Sequence, residues 1–253
     1  KELQQKYLRQ FSNQDLKNGI QSNLTLLTPD WWEFLSAEGF VVGSSLDGYK
    51  DLHDQNRMYG NGRGTFDDVI DSINITRTNQ YAKARVSTQL VLTRDKLTQI
   101  PAIYQFFKEN KIDFDIGQLT LEGNAKEHHT ELEVSPREWA SAVIELFDLW
   151  FSDNTEPSLY ISELVNYSVG IIKGAIPVCT FSGSCREKYI SVDPNGDVYP
   201  CGRFGADKAF QLGNIITQSL EEIMSSDTQR YLLSRNVEGI EDCQICEHKE
   251  MCN

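Results

Sequence analysis

The sequence predicts an α/β protein in two parts: a parallel-sheet region over residues 1–174 and a small cysteine-rich module over residues 175–253. Three observations predict this class. Strand and helix patterns alternate along the first 121 residues, and all six cysteines lie beyond residue 178. Within the cysteine-rich part, an Asn-Gly pair separates two β-rich runs, which is typical of a β-hairpin.

The first 121 residues carry helix and strand patterns in turn. Apolar residues at three- and four-residue spacing predict helices, and apolar alternation or short apolar runs predict strands. The predicted helices cover residues 1–17, 28–39, 65–78 and 97–110, and the predicted strands cover residues 20–27, 40–46, 84–92 and 112–121, with a polar loop at 47–64. Strands separated by helices of about a dozen residues indicate βα units and a parallel sheet.

After residue 121, helix patterns come first, and a hairpin pattern and the cysteines follow towards the end of the chain. We expect a polar linker over residues 122–135, followed by two helices at 136–151 and 157–172. Hairpin strands are predicted at residues 189–192 and 197–199, and a helix is predicted at 220–233. The module therefore combines a small antiparallel sheet with one helix and a cysteine-rich end.

Composition excludes several classes of partner. With a net charge of −13, the chain lacks the basic surface that binds nucleic acid, and a basic peptide is favoured as a partner. No apolar run reaches the roughly 18–20 residues that span a bilayer, so we expect no membrane partner. The chain opens on a polar helical stretch rather than on the apolar segment of a secretory signal. Its cysteines cluster in one module of a larger chain, which indicates metal binding in a reducing compartment, and we expect a cytoplasmic protein.

The cysteines form two groups of three. They are Cys179, Cys185 and Cys201, followed by Cys243, Cys246 and Cys252 in a Cys-x-x-Cys-x5-Cys pattern. Two thiolates separated by two residues can turn onto one metal centre, a spacing that recurs in zinc and iron–sulfur sites. The residues alone are compatible with iron–sulfur clusters, with zinc or with three disulfides.

Several spaced motifs of this region closely resemble the SPASM module of radical S-adenosylmethionine (SAM) enzymes. They are DPNGDVYPC at residues 193–201, LGNI at 212–215 and the final cysteine pattern. The family includes anaerobic sulfatase-maturing enzymes and maturases of ribosomally made peptides. The resemblance implies two auxiliary [4Fe–4S] clusters, one for each group of three cysteines. Each cluster would take a further cysteine beyond Asn253.

The first part of the chain resembles the same family. Residues 20–27 and 42–48 look like the third and fourth strands of a radical SAM partial (β/α) barrel. By this resemblance, Ser45 of a Ser-Leu-Asp-Gly run and Arg57 contact SAM, the guanidinium pairing with its carboxylate. We therefore assign Asn23, Ser45, Asp47 and Arg57 to SAM binding. The alternatives are a strand-end turn at residues 45–48 and a surface cation at Arg57.

The resemblance implies that SAM is cleaved reductively, with an external electron donor, and that the 5′-deoxyadenosyl radical takes a hydrogen from a peptide or protein side chain. The Cys-x3-Cys-x2-Cys motif of the SAM-cleaving cluster and a Gly-Gly-Glu-Pro segment would lie upstream of Lys1. No catalytic residue is assigned within the chain itself.

One position departs from the sulfatase-maturing pattern. Those enzymes carry a catalytic Asp directly after the third module cysteine, where this chain has Gly202. The difference favours a maturase that oxidises or cross-links a ribosomal precursor peptide. A sulfatase-maturing enzyme and a non-enzymatic zinc or iron–sulfur module remain the alternatives.

Overall fold

The computed structural model describes Lys6 and residues 17–77, 85–120, 123–155, 158–181, 188–205 and 207–252. The chain forms two compact units, Lys1–Ser162 and Glu163–Asn253. This division falls at the start of a helix, Ser162–Lys173, and the boundary predicted at 174/175 falls just after its end. The predicted helix at 1–17 lies almost wholly outside the described residues.

A four-stranded parallel sheet organises the first unit. Its strands are β1 (Gly19–Ser22), β2 (Val41–Ser45), β3 (Arg85–Leu92) and β4 (Phe114–Gln118), in the order β1-β2-β3-β4. Successive neighbours in the sheet are also successive along the chain. This arrangement is the one expected from repeated βα units, so the predicted α/β class with a parallel sheet is confirmed.

Helices connect and follow these strands. In the first unit they are α1 (Pro29–Ala37), α2 (Lys50–Asn56), α3 (Phe66–Thr76), α4 (Ile100–Asn110), α5 (His129–Leu132) and α6 (Pro136–Phe151), with 3₁₀ turns at Arg94–Gln99 and Gly123–Lys126. Helix α6 begins with a full capping box, in which Ser135 and Glu138 satisfy each other's backbone amides. Its bounds match the prediction.

The two faces of the sheet differ in character. Alternate strand residues such as Val42, Leu90 and Phe114 are almost fully buried. Phe107 of α4 stacks on Phe114 with ring centroids 4.0 Å apart, so this face carries the core. Each buried aliphatic or aromatic side chain contributes about 1.5–3 kcal/mol. The opposite face is richer in glycine and polar residues, among them Gln21, Gly43, Gln89 and Gly117, although Val41 and Val91 also lie on it.

Two segments of the first unit differ from the sequence prediction. The strand predicted at 20–27 ends at Ser22, because the Ser22 hydroxyl accepts the Leu24 amide and Leu24 turns at φ 62°. The loop predicted at 47–64 contains α2, whose Leu52 and His53 are buried. The other residues of α2 are polar or charged, so the helix lacks the apolar periodicity from which it could have been predicted.

The helix predicted at 157–172 begins only at Ser162. Ile161 forms a parallel bridge with Phe114 at the edge of the sheet, and the Phe114 amide donates to the Tyr160 carbonyl. Residues 158–161 therefore run extended rather than helical. The predicted linker at 122–135 likewise contains the short helix α5 and a 3₁₀ turn.

The second unit begins with α7 (Ser162–Lys173) and then forms a small antiparallel sheet of β5 (Ser191–Val192), β6 (Asp197–Tyr199) and β7 (Gly213–Asn214). The predicted hairpin is thus confirmed. The predicted helix 220–233 is two helices, α8 (Leu220–Met224) and α9 (Asp227–Ser234). The Ser226 side chain caps α9, and this hydrogen bond starts a new helix in place of continuing the old one.

Short helices α10 (Glu241–Gln244) and α11 (Lys249–Cys252) complete the second unit. Its buried core is small and consists of Val198, Leu212, Ile223 and Leu232, with Phe210 packed against it. In the described part of the chain, no helix is both long and apolar enough to cross a bilayer.

Candidate functional site

A cleft of about 500 Å³ opens at the carboxyl ends of the parallel strands. Asp47 follows β2, Thr93 follows β3 and Leu119 follows β4, and all three line the cleft together with Arg57 of the segment after α2. Ligands of parallel α/β sheets bind at this edge, since the loops after the strands converge there. The volume suits a small cofactor or substrate.

A buried ion pair forms one wall of this cleft. The Asp47 carboxylate is 3% exposed, and it accepts from Arg57 Nε at 2.6 Å and Arg57 Nη2 at 3.3 Å. Its Oδ1 atom also accepts the Val91 amide of β3 at 3.0 Å. The guanidinium is 28% exposed, and one of its edges is committed to Asp47. Arg57 is therefore a fixed cation at the cleft rather than a mobile surface residue.

His53 supports both members of the Asp47–Arg57 pair through hydrogen bonds. Its Nδ1 atom accepts the Asp47 amide at 3.2 Å, and its Nε2 atom lies 3.0 Å from the Thr65 hydroxyl. That hydroxyl donates to the Arg57 carbonyl at 3.0 Å. Because Nδ1 accepts, the ring carries its proton on Nε2 and is neutral. Burial is the main cause that lowers the pKa of His53 to about 4; Arg57 and Lys96 act in the same direction, and Asp47 and Asp54 oppose them.

The other two residues assigned to SAM binding lie at the same strand ends. Ser45 closes β2, and Asn23 follows β1, whose Ser22 stands opposite Ser44 in the parallel register. The Asn23 side chain is exposed, and its oxygen accepts the Thr25 amide and hydroxyl in a local turn. Neither Asn23 nor Ser45 lines the cleft, so the structure brings only Asp47 and Arg57 together directly.

Sequence reasoning missed three residues of this region. His53 and Thr65 position the ion pair, and Lys96, with only 1% of its surface exposed, lines the cleft. One signal was available in the sequence. His53 and Arg57 are four residues apart, and residues at this spacing lie on the same face of a helix. The two residues before Lys96 in the sequence are charged, which is typical of a solvent-exposed helix start. The sequence therefore gives no indication that Lys96 is buried.

Cys201 is placed by the hairpin of the second unit. Asp193 closes the turn by accepting the Asn195 and Asp197 amides, and Gly196 adopts φ 84°, which favours glycine. The Asp197 carboxylate accepts from Lys208 and from the amides of Gln211 and Asn214.

These contacts have an electrostatic effect and a structural one. The Lys208 and Asn214 hydrogen bonds hold the pKa of Asp197 below its ordinary value. Cys201 follows two residues after β6, at the start of the 3₁₀ turn Gly202–Phe204. The hydrogen bonds of Asp193 and Asp197 thus hold the backbone that carries the Cys201 thiol.

The segment that bears Cys243 and Cys246 has no buried side chain. Among residues 233–251, all of them described, every side chain is exposed or partly exposed. Helix α10 is four residues long and also contributes nothing to a core. Apolar burial therefore does not hold this segment in place, whereas a metal centre bridged by its thiols would.

The thiols that the structure describes are free. Cys179 and Cys246 are exposed, and Cys201 and Cys243 are partly buried. Among the described residues, no three Cys, His, Asp or Glu side chains converge as a metal site. Cys185 and the Cys252 side chain lie outside the described part. Thiolate sulfur is the donor that iron–sulfur clusters and zinc both take, so the residue set fits either.

Residues 179–247 match SPASM, an iron–sulfur cluster-binding domain. Over 236 residues the chain is 28% identical to the cysteine-type anaerobic sulfatase-maturating enzyme of Clostridium novyi (strain NT), covering 92% of this chain and 62% of that protein. The chain thus spans less than two thirds of the length of this curated relative.

The solved structures that are similar to the chain include two with a bound peptide. The structure of native anSMEcpe with bound AdoMet and Cp18Cys peptide is 26% identical, with a TM-score of 0.81, and covers 99% of this chain and 68% of that chain. Streptococcus suis SuiB bound to precursor peptide SuiA is 18% identical, with a TM-score of 0.63, and covers 94% of this chain and 54% of that one. The second likeness concerns the fold alone.

The parallel α/β unit and the match to SPASM together give the chain the architecture of radical SAM/SPASM maturases. In sequence and fold it is similar to the anaerobic sulfatase-maturating enzymes. The fold predicted from the sequence, a partial barrel followed by a SPASM module, is confirmed.

We expect His53→Asn to flatten the pH dependence of folding. In the native chain the pKa of His53 is about 4 against an ordinary 6.5. Its contribution to stability is therefore full above pH 6.5 and is lost as the pH falls towards 4. At about 1.4 kcal/mol per pKa unit, this loss amounts to about 3 kcal/mol. Urea unfolding at pH 7.5, 6, 5 and 4 measures it.

The exposed His129 provides the control, because His129→Asn removes a solvated imidazole and should leave the slope unchanged. Asparagine at position 53 keeps an oxygen that can accept the Asp47 amide. Parallel stability curves for the native chain and His53→Asn would contradict the assignment of a buried, neutral His53.

Proposed function

We propose that this chain is part of a radical SAM/SPASM maturase that modifies a side chain of a peptide or protein. The observation that carries the proposal is the buried Asp47–Arg57 pair at the carboxyl ends of the parallel strands, in a chain whose second unit matches SPASM. An isolated metal-binding module would need neither the pair nor the cleft beside it.

SAM, when bound with a reducing cluster and an external electron donor, supplies a radical that abstracts a hydrogen atom. The role of this chain's residues is binding and orientation. Arg57 would pair with the carboxylate of SAM through the guanidinium edge that Asp47 leaves available. Ser45 and Asn23, at the neighbouring strand ends, would add polar contacts. The AdoMet-bound relative described above supports this assignment.

The cysteines would hold two auxiliary clusters. Cys179, Cys185 and Cys201 would serve the first, and Cys243, Cys246 and Cys252 would serve the second. The absence of any buried side chain around Cys243 and Cys246 supports the second site, since apolar burial does not order this segment and a metal centre bridged by its thiols would. Clusters in these positions would accept the electron left after hydrogen abstraction or bind substrate.

The substrate we propose is a ribosomal precursor peptide rather than a sulfatase. Gly202 offers no carboxylate where the sulfatase-maturing pattern has one. Asp207 is the next acidic residue along the chain, and its carboxylate accepts a hydrogen bond from the Ala209 backbone amide in its own turn. A peptide with basic residues would also be attracted to a chain of net charge −13.

Formylglycine formation on a sulfatase is the second candidate. The observation that favours it is the similarity to a curated relative that carries the sulfatase-maturating name. The two candidates share SAM, the clusters and a peptide-like substrate. They differ in the proton acceptor next to Cys201, and this difference can be tested.

Replacing both Cys243 and Cys246 with Ala should remove about four irons per chain from the anaerobically reconstituted protein, the content of one four-cysteine cluster. Iron and sulfide analysis, with visible absorption, measures the change. Replacing Cys179 and Cys201 should remove the iron of the other site. Colourless protein containing zinc, or unchanged iron in the double variant, would refute the cluster assignment.

Arg57→Ala should weaken SAM binding about 10- to 100-fold, because a charge-assisted contact contributes about 1.5–3 kcal/mol. Calorimetry on the protein expressed from its complete reading frame measures the affinity. Arg230→Ala, which removes an exposed guanidinium in the other unit, is the control. Because Arg57→Ala leaves Asp47 unpaired, circular dichroism must show a folded variant. Native affinity in that folded variant would remove Arg57 from the site.

We expect no formylglycine from a sulfatase-type peptide incubated with the enzyme, SAM and reductant. A placed base contributes about 10²–10⁴-fold, and Gly202 supplies none. A precursor peptide should instead lose two hydrogens. Mass spectrometry with hydrazide trapping measures both, since trapping identifies the aldehyde that mass alone cannot distinguish.

Gly202→Asp is the matched variant for this assay. A Cβ built on Gly202 meets nothing within 4 Å, so the added side chain has room. An aldehyde formed by Gly202→Asp but not by the native enzyme would attribute the difference to this position. An aldehyde formed by the native enzyme would establish the second candidate in place of the first.

A further inference from the structure

Lys96 is a buried lysine with few visible partners. Its side chain is 1% exposed and lies in the 3₁₀ turn that follows β3. Its ammonium donates to the Thr93 hydroxyl at 2.6 Å, and the nearest carboxylate oxygen, on Asp95, is 3.7 Å away. A buried ammonium has three hydrogens to place and is costly to bury without a counter-charge. The hydroxyl satisfies only one of these hydrogens.

Lys96 lines the same cleft as the Asp47–Arg57 pair. The Asp47 carboxylate already accepts from Arg57 and from the Val91 amide, so it is largely saturated. Asp95, the acid nearest to Lys96, is not part of the cleft lining. The lining also includes Glu131, whose side chain is 77% exposed. On the buried side of the cleft, Arg57 and Asp47 neutralise each other, whereas the Lys96 ammonium has one hydroxyl acceptor and a carboxylate oxygen only at 3.7 Å. An ammonium with this little compensation suits a negatively charged ligand group.

We propose that Lys96 and Arg57 together clamp the carboxylate at the amino-acid end of SAM. This inference rests on the proposed function and adds a binding residue to it. A carboxylate has two oxygens and about four acceptor positions, so one guanidinium edge and one ammonium can share it. Lys96 supplies a point charge, and Arg57 supplies a fixed direction because Asp47 holds its other edge.

The test compares SAM with decarboxylated SAM, in which hydrogen replaces the carboxylate. Calorimetry on the anaerobically reconstituted protein, expressed from its complete reading frame, measures both affinities. The variant is Lys96→Gln, which removes the charge and keeps a donor for Thr93. We expect Lys96→Gln to weaken SAM binding about 10- to 100-fold and to change the affinity for the decarboxylated ligand less than about threefold.

Lys173→Met is the matched control, because it removes an exposed lysine from the other unit and should change neither affinity. If Lys96→Gln fails to fold, as judged by circular dichroism, Lys96→Met tests the same expectation. Equal losses for both ligands would make Lys96 a structural residue and overturn the inference. Unchanged affinities for both ligands would overturn it as well.

The remaining outcomes separate this inference from the proposed function. If the native protein binds no SAM, the proposed function fails and the inference falls with it. If it binds SAM, and Lys96→Gln keeps the full preference for the carboxylate, only the inference fails. An acidic side chain of the peptide would present the same chemistry. In that case, Lys96→Gln would weaken peptide binding at saturating SAM while leaving the SAM preference intact, which would also overturn the assignment.

Discussion

The carboxylate of Asp47 is the interaction on which the strand-end cleft depends. It is nearly inaccessible to solvent, and its three hydrogen bonds tie the end of β2 to the Val91 amide of β3 and to Arg57. Removal of one partner from a buried pair costs about 3–5 kcal/mol, because the other charge remains unpaired in a poorly solvated site. His53 completes this arrangement by accepting the Asp47 amide.

Much of the fold could be predicted because its signals are local. Alternation at residues 84–92 predicted β3, and Asn195-Gly196 predicted the hairpin that Gly196 closes at a positive φ. Helix α2 could not be predicted, because two buried side chains among charged ones resemble a solvated loop. The break between α8 and α9 was also missed, since the capping bond of Ser226 competes with a continuous helical pattern.

The site was predicted to a lesser extent, and for a different reason. Asp47 and Arg57 came from a resemblance in a short run, and the structure brings them together. Asn23 and Ser45 came from the same resemblance, and the structure places them on neighbouring strand ends outside the cleft. The burial of His53 and Lys96 is a tertiary property: it depends on which elements pack around them, and one sequence does not record that.

The polar face of the sheet is consistent with a ligand beside it. Parallel sheets are usually apolar on both faces, because helices cover both. Here the side chain of Gln21 lies across Gly43, and the side chain of Gln89 lies across Gly117. A Cβ at either glycine would meet the glutamine amide within 3 Å. The glutamine side chains occupy the space that the glycines leave and bring hydrogen-bonding groups to this face, which suits a polar ligand better than helix packing.

The two units achieve order by different physical means. At the strand ends, a hydrogen-bonded ion pair and a neutral histidine fix the cleft. In the second unit, the hairpin carrying Cys201 rests on a small apolar core and on Asp197. The segment carrying Cys243 and Cys246 has neither support. Because metal binding supplies folding free energy where burial is absent, a centre bound there would order that segment, and its affinity would include the cost of doing so.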